Sequence, residues 1–264
     1  MRWLKFTAAG KTSWGLFEGD RVFAVTGDPF GEWQKTAQSH ALKDVKIELP
    51  LVPRTFYCVG LNYLKHLKEA ADKAGTVPNV PDRPEIGYRA QNALIAHDED
   101  VVIPSFATDK IHYEGELAVV IGKKAKHLTD ANAMSCVFGY TIGNDVSERT
   151  WQKADRGLWR SKNADTFKPM GPWIETDVDL DHIAVFDIRR SAVGTHPDLV
   201  ARPQRKIFCQ FHNERHDAKN HVVGPEAAGF LAVDADDSLH LVEVHVSLDP
   251  RSHRFERVGV LGAP

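Results

Sequence analysis

The sequence predicts an α+β fold that is mainly β, and two observations carry this prediction. Short strand-like segments alternate with glycine turns through residues 1–50, in RWLKFTA, SWGLFEG and DRVFAVTGD. The segment LAVVIG at 117–122 is rich in Val and Ile and ends on glycine, as buried strands often do. Because helical patterns are few and short, we expect a strand-based core with short helices around it.

The order of these patterns predicts two domains, a small β-rich N-terminal domain at 1–50 and a larger one at 51–264. In the larger domain a strand (FYCVG) leads into a helix (YLKHLKEAADKAG) and a proline-rich loop that could wall a site. We expect two strands in ALIAHDEDVVIP, a helix in DANAMSCVFGY, an exposed helix in DVSERTWQKADRG and a loop entering a strand in TFKPMGPWIET.

Composition excludes several classes of partner. The net charge of −3 and the pI of about 6.5 give no sign of nucleic acid or an anionic membrane as a partner. No apolar run approaches the roughly 20 residues that a membrane helix needs. The three cysteines are far apart, and the start of the chain has no apolar segment typical of a secretory signal. These features predict a cytoplasmic protein.

Three carboxylates form the first candidate site. Glu114 and Glu116 are two residues apart beside the LAVVIG strand, so their side chains share one face, and Asp145 follows a second apolar segment. Like charges held close together are costly unless a cation lies between them. Oxygen ligands without paired Cys or His suit a hard cation such as Mg²⁺, Mn²⁺ or Ca²⁺. A polar strand face at a sheet edge would explain the same spacing.

Four ordered blocks give the chain a resemblance to a known family. They read VGLNYLKHLKE, YEGELAVVIG, FGYTIGNDVSERTWQ and KNADTFKPMGPWI, and they span residues from about 54 to 180. In this order and spacing the chain resembles the fumarylacetoacetate hydrolase family. The resemblance implies that residues 51–264 form the catalytic domain of that family, a mixed β-roll or β-sandwich with short helices, and that the protein is a homodimer.

The resemblance also assigns roles. It implies that Glu114, Glu116 and Asp145 are divalent-metal ligands for Mg²⁺ or Mn²⁺, and that Lys162 reaches a metal-bound substrate. His66 and Glu69 match an H-x-x-E pair, with Glu69 orienting His66 as a base for water. Gln152 matches a substrate-contacting position. Arg149 is a further substrate-binding candidate beside Gln152. Two more arginines, Arg156 and Arg160, could bind a substrate carboxylate and are chosen by position alone.

Without the resemblance, simpler explanations fit these residues. His66 in a helix is usually a surface residue, and Lys162 in a polar loop is usually solvated. Glu69 could pair with Lys65 or Lys73, each four residues away on the same helix.

The implied reaction is metal-dependent hydrolysis of a C–C bond in an acylpyruvate or fumarylpyruvate-like 2-oxo acid. A Lewis-acidic cation lowers the energy of the enolate formed when the bond breaks, and Lys162 adds positive charge at the same oxygen. A hydratase, isomerase or decarboxylase on the same site is one alternative. An inactive family member with a disrupted C-terminal segment is another.

The segment after about residue 180 departs from the family pattern. An N-G-x strand, a T-x-D-M-I-F segment and a P-G-D…G-T block, which family members usually carry there, are missing, and eight of the 13 His residues lie between His182 and His253. The segments ERHDAKNHVV and DPRSHRFERV have neither a strand nor a helix period.

An inverted DNA segment would explain this departure. Read codon by codon on the opposite strand, VGTHPDLVARPQ at 193–204 permits LRPGDEIWMGTD, and KNHVV at 219–223 permits DDMVF. The first reading is the missing P-G-D…G-T block and the second resembles the missing T-x-D-M-I-F segment, and on the reversed strand they follow the family's order. The codons are chosen to fit, but His to Met and Pro to Trp each require one particular codon. We predict an inversion that begins near residues 181–190. Sequencing the locus checks it, and an uninterrupted forward gene, colinear with close relatives, would contradict it.

Overall fold

The computed structural model describes residues 1–62, 64–108 and 110–178, together with three strands at 230–234, 242–248 and 255–262. The side chains of residues 64–66 and 69, and those beyond residue 178, lie outside this description. The predicted departure of residues 181–264 from the family fold therefore concerns mainly residues outside the described ranges.

The first 50 residues form a strand meander, as their alternating pattern predicts. Successive strands pair antiparallel, β1 with β2, β2 with β3 and β3 with β4. The strands in this part are β1 Arg2–Ala8, β2 Lys11–Glu18, β3 Arg21–Gly27, β4 Trp33–Ala41 and β5 Lys46–Ile47. Gly27 has φ +89° and its Cβ position would lie 2.1 Å from the Glu32 oxygen, so the turn there needs a glycine.

The rest of the described chain adds further strands and three short helices. The helices are α1 Leu64–Ala74, α2 Arg149–Ala154 and α3 Trp159–Asn163. The strands are β6 Thr55–Gly60, β7 Glu85–Tyr88, β8 Leu94–Ile95, β9 Ile111–His112, β10 Gly115–Ile121, β11 Val137–Asn144, β12 Ser147–Glu148, β13 Lys168–Glu175, β14 Phe230–Asp234, β15 Val242–Leu248 and β16 Phe255–Gly262. Three-residue and four-residue 3-10 helices lie at Leu42–Asp44, Gln91–Ala93 and Ala133–Cys136.

Across the described ranges, twelve strands join in one mixed sheet. Its main order is β4-β3-β2-β1-β13-β11-β10-β14-β6-β7, with β5 paired to β1 and β8 to β13. The pairing of β1 with β13 links the leading strands to the larger part of the chain. This architecture is the mainly β, α+β fold that the sequence predicts. The division into domains at residue 50 stays a prediction.

Side chains alternate between the two faces of β10, so this strand contributes to an apolar core on each side of the sheet. Leu117, Val119 and Ile121 pack with Tyr57 and Val59 on one face of the sheet. Ala118 and Val120 pack on the other face with a set of apolar side chains that includes Phe56, Cys58, Met170 and Ile174. Glu116 shares this second face because it precedes Ala118 by two residues. The sequence period therefore places a carboxylate beside a dry core.

Some predicted elements are wrong. DANAMSCVFGY contains only the 3-10 helix Ala133–Cys136, and its VFGY part belongs to strand β11, whose pairing with β10 outweighs the helical preference of Ala and Met. ALIAHDEDVVIP contains β8 but no second strand of the main sheet. The helix predicted in DVSERTWQKADRG covers only Arg149–Ala154, and Trp151 on it is buried.

No helix of the described chain is long and apolar enough to cross a membrane.

Candidate active site

Two neighbouring strands bring the three predicted carboxylates together. Glu116 lies in β10, paired with Gly143 of β11, and Glu114 immediately precedes β10. Asp145 follows the end of β11, and its amide donates to the Glu114 carbonyl at 2.8 Å, which continues the ladder by one step. We call Glu114, Glu116 and Asp145 the carboxylate cluster. Glu116 and Asp145 lie within ligand distance of each other, and Glu114 meets Asp145 at the Lys162 ammonium. The role of all three as metal ligands stays a prediction.

A cysteine from a third strand lies beside the carboxylate cluster. Cys58 of β6 lies with its Sγ 3.7 Å from Glu116 Oε2 and 3.7 Å from Asp145 Oδ2. One ligand atom from each of Cys58, Glu116 and Asp145 lies within 4.8 Å of the others, and all three residues are buried. Burial and the two neighbouring carboxyls raise the pKa of Cys58 well above its ordinary value, so the thiol stays protonated at neutral pH.

Lys162 occupies the point where two of the carboxylates meet. Its Nζ lies 2.5 Å from Glu114 Oε2 and 2.8 Å from Asp145 Oδ2, and its side chain is 7% exposed. Burial alone would lower the pKa of Lys162, but the attraction of Asp145 and Glu114 raises it. Lys162, which the sequence predicts to face the substrate, is therefore a buried ammonium in contact with the carboxylate cluster.

Asp145 is held by two further cations. Arg89 grips it with two hydrogen bonds, Nε to Oδ1 and Nη2 to Oδ2, both 2.8 Å. Lys168 Nζ lies 2.8 Å from Oδ1. Burial would raise the pKa of Asp145, but Lys168, Arg89 and Lys162 together hold it well below its ordinary range. Asp145 is thus a permanent anion of this site.

Glu116 has the opposite electrostatics. It is 6% exposed, and the only hydrogen-bond donor recorded for its carboxyl among the described residues is the weak Cys58 thiol. Burial, Asp145 and Glu114 raise the pKa of Glu116 to about 8. A buried carboxyl with such a poor donor needs either a proton or a cation.

The donor set fits a hard divalent cation. Glu116 offers free oxygen lone pairs, and Glu114 and Asp145 offer further oxygens around Lys162. A protonated thiol is a poor ligand for such an ion, so Cys58 is better described as a neutral neighbour. The residues that would hold the ion are those of the carboxylate cluster, and Glu116 is the member with the weakest polar partner among the side chains that the structure describes.

Arg149 links the cluster to the outer candidates. It donates through Nη2 to Glu114, through Nη1 to Gln152 Oε1 at 2.7 Å and through Nε to His112 Nδ1 at 3.2 Å. The structure therefore brings the predicted pair Arg149 and Gln152 to the edge of the site. Burial, followed by the charge of Arg149, lowers the pKa of His112.

The other predicted arginines lie elsewhere. Arg156 is exposed. Arg160 is bonded to Asp155 through two nitrogens, at 3.1 and 2.8 Å, and its guanidinium lies over the Trp151 ring at 4.9 Å. Arg160 thus has a surface partner already, which weakens its candidacy as a carboxylate receptor.

His66 and Glu69 belong to α1, which begins four residues after β6. Their side chains lie outside the described part of the structure, so their roles stay predictions. The helix that contains both residues is present, as the sequence predicts.

Sequence reasoning missed three residues of this site. Cys58 reads as a core residue, Arg89 follows a proline-rich loop, and Lys168 stands in an apolar strand. A lysine inside the run FKPMGPWI was the one available signal, because a lysine in a buried strand needs a partner. Four cationic side chains surround the carboxylate cluster, and we call them the basic shell: Arg89, Arg149, Lys162 and Lys168.

The comparisons with known proteins agree with the fold. A profile described as "Fumarylacetoacetate (FAA) hydrolase C-terminal" matches residues 55–224, past residue 180 where the motifs end, and one described as "Rv2993c-like, N-terminal" matches residues 1–50. Protein Rv2993c of Mycobacterium tuberculosis is 39% identical over 154 residues, which are 58% of this chain and 56% of that protein. The mitochondrial oxaloacetate tautomerase FAHD2A of Homo sapiens is 36% identical over 172 residues, covering 60% of this chain and 52% of that protein.

Among solved structures, the 5-carboxymethyl-2-hydroxymuconate delta-isomerase of Mycobacterium smegmatis superposes with a TM-score of 0.60. It is 34% identical, and the match covers 69% of each chain. The chain spans little more than half the length of the two curated relatives.

Proposed function

Because this chain belongs to the fumarylacetoacetate hydrolase family, we propose that it is a divalent-cation-dependent enzyme that converts a 2-oxo acid through its enolate. The observation that carries the proposal is the buried carboxylate cluster inside the basic shell, with Glu116 receiving no strong donor from the described residues. The bound cation would supply Lewis acidity at the keto oxygen. The reaction that we favour is keto–enol tautomerisation or the related shift of a double bond.

The residues of the chain have definite tasks in this reaction. Lys162 brings a positive charge to the place where the enolate oxygen would develop, without reorganisation, because Asp145 already fixes it at 2.8 Å. Arg149 at the edge of the site already donates to Glu114, Gln152 and His112, so it would receive a substrate carboxylate by exchanging one or more of these contacts. The apolar face of Ala118, Val120 and Met170 keeps water away from one side of the cluster.

Charge balance favours an acid with more than one negative group. With a divalent cation bound, Glu116 is ionised and the carboxylate cluster carries three negative charges. Together with the four positive charges of the basic shell and the ion, these described groups sum to +3. The enolate of a 2-oxo monocarboxylic acid carries two negative charges, and that of a dicarboxylic acid carries three. A 2-oxo dicarboxylic acid therefore neutralises the site, and the names oxaloacetate tautomerase and carboxymethyl-hydroxymuconate isomerase belong to relatives of this chain.

C–C bond hydrolysis is the second candidate. The observation that favours it is α1, which follows the strand carrying Cys58 and holds His66 and Glu69 three residues apart. Such a pair could activate water. Fumarylpyruvate or another acylpyruvate would be the substrate, with Mg²⁺ or Mn²⁺ as the cation. The expected homodimer stays a prediction.

The test uses the purified chain with Mn²⁺ or Mg²⁺ and follows the enol absorbance of oxaloacetate, fumarylpyruvate and acylpyruvates. We expect cation-dependent tautomerisation that a chelator abolishes. In Lys162→Met we expect kcat to fall about 100- to 1000-fold, the cost of losing one preorganised oxyanion donor. Lys35→Met is the matched control, since Lys35 pairs with Glu18 in the N-terminal meander, and it should leave kcat unchanged.

Each outcome separates the candidates. Loss of hydrolysis but not of tautomerisation in His66→Ala would favour the second candidate for acylpyruvates. A folded chain that binds the cation but turns over none of these acids would identify an inactive family member. Equal activity in Lys162→Met and Lys35→Met would contradict the proposed role of Lys162.

A further inference from the structure

Lys168 is a buried lysine that the proposed reaction does not use. It is the first residue of β13 and is 2% exposed. Its Nζ lies 2.8 Å from Asp145 Oδ1 and donates to the carbonyls of Val146 and Phe167, both at 3.0 Å. Because an ammonium has three hydrogens, these three acceptors satisfy it completely.

This geometry leaves Lys168 no donor for a substrate. Whatever it does at the site must act through Asp145 and through the two carbonyls. The Phe167 carbonyl also accepts from the Val146 amide at 3.1 Å, so Lys168 ties the segment after β11 to the segment after Lys162. Lys168 is therefore a positioning residue.

The two oxygens of Asp145 each accept hydrogen bonds from two cationic side chains. Arg89 and Lys168 both donate to Oδ1, while Arg89 and Lys162 both donate to Oδ2. In the described structure Lys162 donates only to side-chain oxygens, those of Glu114 and Asp145, whereas Lys168 is also anchored to two backbone carbonyls. Lys168 cannot move without breaking its two carbonyl bonds. Lys168 would therefore compete with a bound cation for Asp145 from a fixed position.

We propose that Lys168 sets the divalent-cation affinity of the carboxylate cluster, by holding Asp145 Oδ1 and by placing a fixed positive charge beside the ion. The inference rests on the proposed cation site. Lys168 weakens cation binding and in return keeps Asp145 in one orientation when the ion is absent. A fixed charge a few ångströms from a divalent ion in a buried site repels it strongly.

The test measures Mn²⁺ binding to the metal-free full chain by calorimetric titration. In Lys168→Met, which keeps the chain length and removes the charge, we expect Mn²⁺ to bind about 10- to 100-fold more tightly than in the unmodified protein. Lys168→Gln keeps one donor for the carbonyls and should also bind Mn²⁺ more tightly. Lys35→Met, which removes a remote surface charge, should change the affinity less than about twofold.

A purely structural role for Lys168 predicts a different pattern. It predicts a lower unfolding midpoint in urea with unchanged or weaker Mn²⁺ binding, and that result would overturn the inference. Loss of the fold in both variants at saturating Mn²⁺ would also overturn it, because the ammonium would then serve the fold itself.

Mn²⁺ binding by the unmodified protein shows whether the proposed role of Lys168 fails or the proposed cation site itself fails. Mn²⁺ binding by the unmodified chain with no gain in either variant defeats only the role of Lys168. No binding by the unmodified chain or by either variant defeats the cation site and this inference together. Binding by the variants alone would support the inference in its strongest form.

Discussion

Replacement of Glu116 by Gln is expected to abolish divalent-cation binding while leaving the metal-free fold intact or more stable. The carboxyl has a pKa of about 8, so at neutral pH and without a cation it is protonated and neutral. Gln is also neutral and nearly the same size, and it offers one oxygen in place of a carboxylate. We expect Mn²⁺ affinity to fall more than about 100-fold, beyond the effect typical of residues that only support a ligand.

The same substitution changes the pH dependence of stability. The pKa of Glu116 is raised in the folded protein above its ordinary value of 4.5, so its contribution to stability is complete below about 4.5 and is lost as pH rises to about 8. In that window the metal-free protein should lose up to about 1.4 kcal/mol per pH unit through this group. Glu116→Gln should remove this slope.

Urea unfolding in a chelator at pH 5, 6.5 and 8, together with Mn²⁺ titration, checks both expectations. Glu18→Gln, on an exposed strand position paired with Lys35, is the control and should leave Mn²⁺ affinity unchanged. Unchanged Mn²⁺ binding in Glu116→Gln would rule out Glu116 as a ligand.

Replacement of Asp145 by Asn should have the largest effect on stability. Asp145 is the shared anion of Arg89, Lys162 and Lys168, and an amide would remove the carboxylate that Arg89 and Lys168 contact in the described structure, leaving Glu114 as the counterion of Lys162. Breaking a buried pair by removing one partner typically costs about 3–5 kcal/mol. We expect a loss of this size in the free energy of unfolding at pH 7.

The acid dependence gives a second readout for Asp145. Its pKa is held well below the ordinary value of 3.8, so its contribution to stability is present above that value and is lost as pH falls below it. Asp145→Asn should lack this loss. The control is Asp155→Asn, whose partner Arg160 is at the surface and whose cost should stay within about 1 kcal/mol. Equal costs for the two substitutions would contradict the counterion role.

Two neighbouring carboxyls are therefore expected to respond in opposite ways. Glu116 matters for binding a cation and destabilises the empty site, whereas Asp145 matters for the empty fold as well. Their positions could be predicted, because a strand period of two fixes the face of Glu114 and Glu116, and the hairpin of β10 and β11 places Asp145 beside them. Their opposite ionisation could not be predicted from spacing.

The secondary structure also divides into features that local sequence predicts and features that depend on contacts between distant segments. The glycine-punctuated strands of the first 50 residues were predicted correctly, because turn residues and alternation are local signals. The helix expected in DANAMSCVFGY was wrong, because pairing of Val137–Asn144 between β10 and β13 is a non-local gain that no local pattern reports.

The sequence by itself determined the family, the mainly β fold and the carboxylates at Glu114, Glu116 and Asp145, since these depend on residue type and short spacing. Only the tertiary structure decided that Arg89 and Lys168 grip Asp145 and that Cys58 faces Glu116. These partners lie between 23 and 58 residues from the carboxyls they touch. The pKa of a buried carboxyl depends on which charges fold against it, and that information exists only when the strands have assembled.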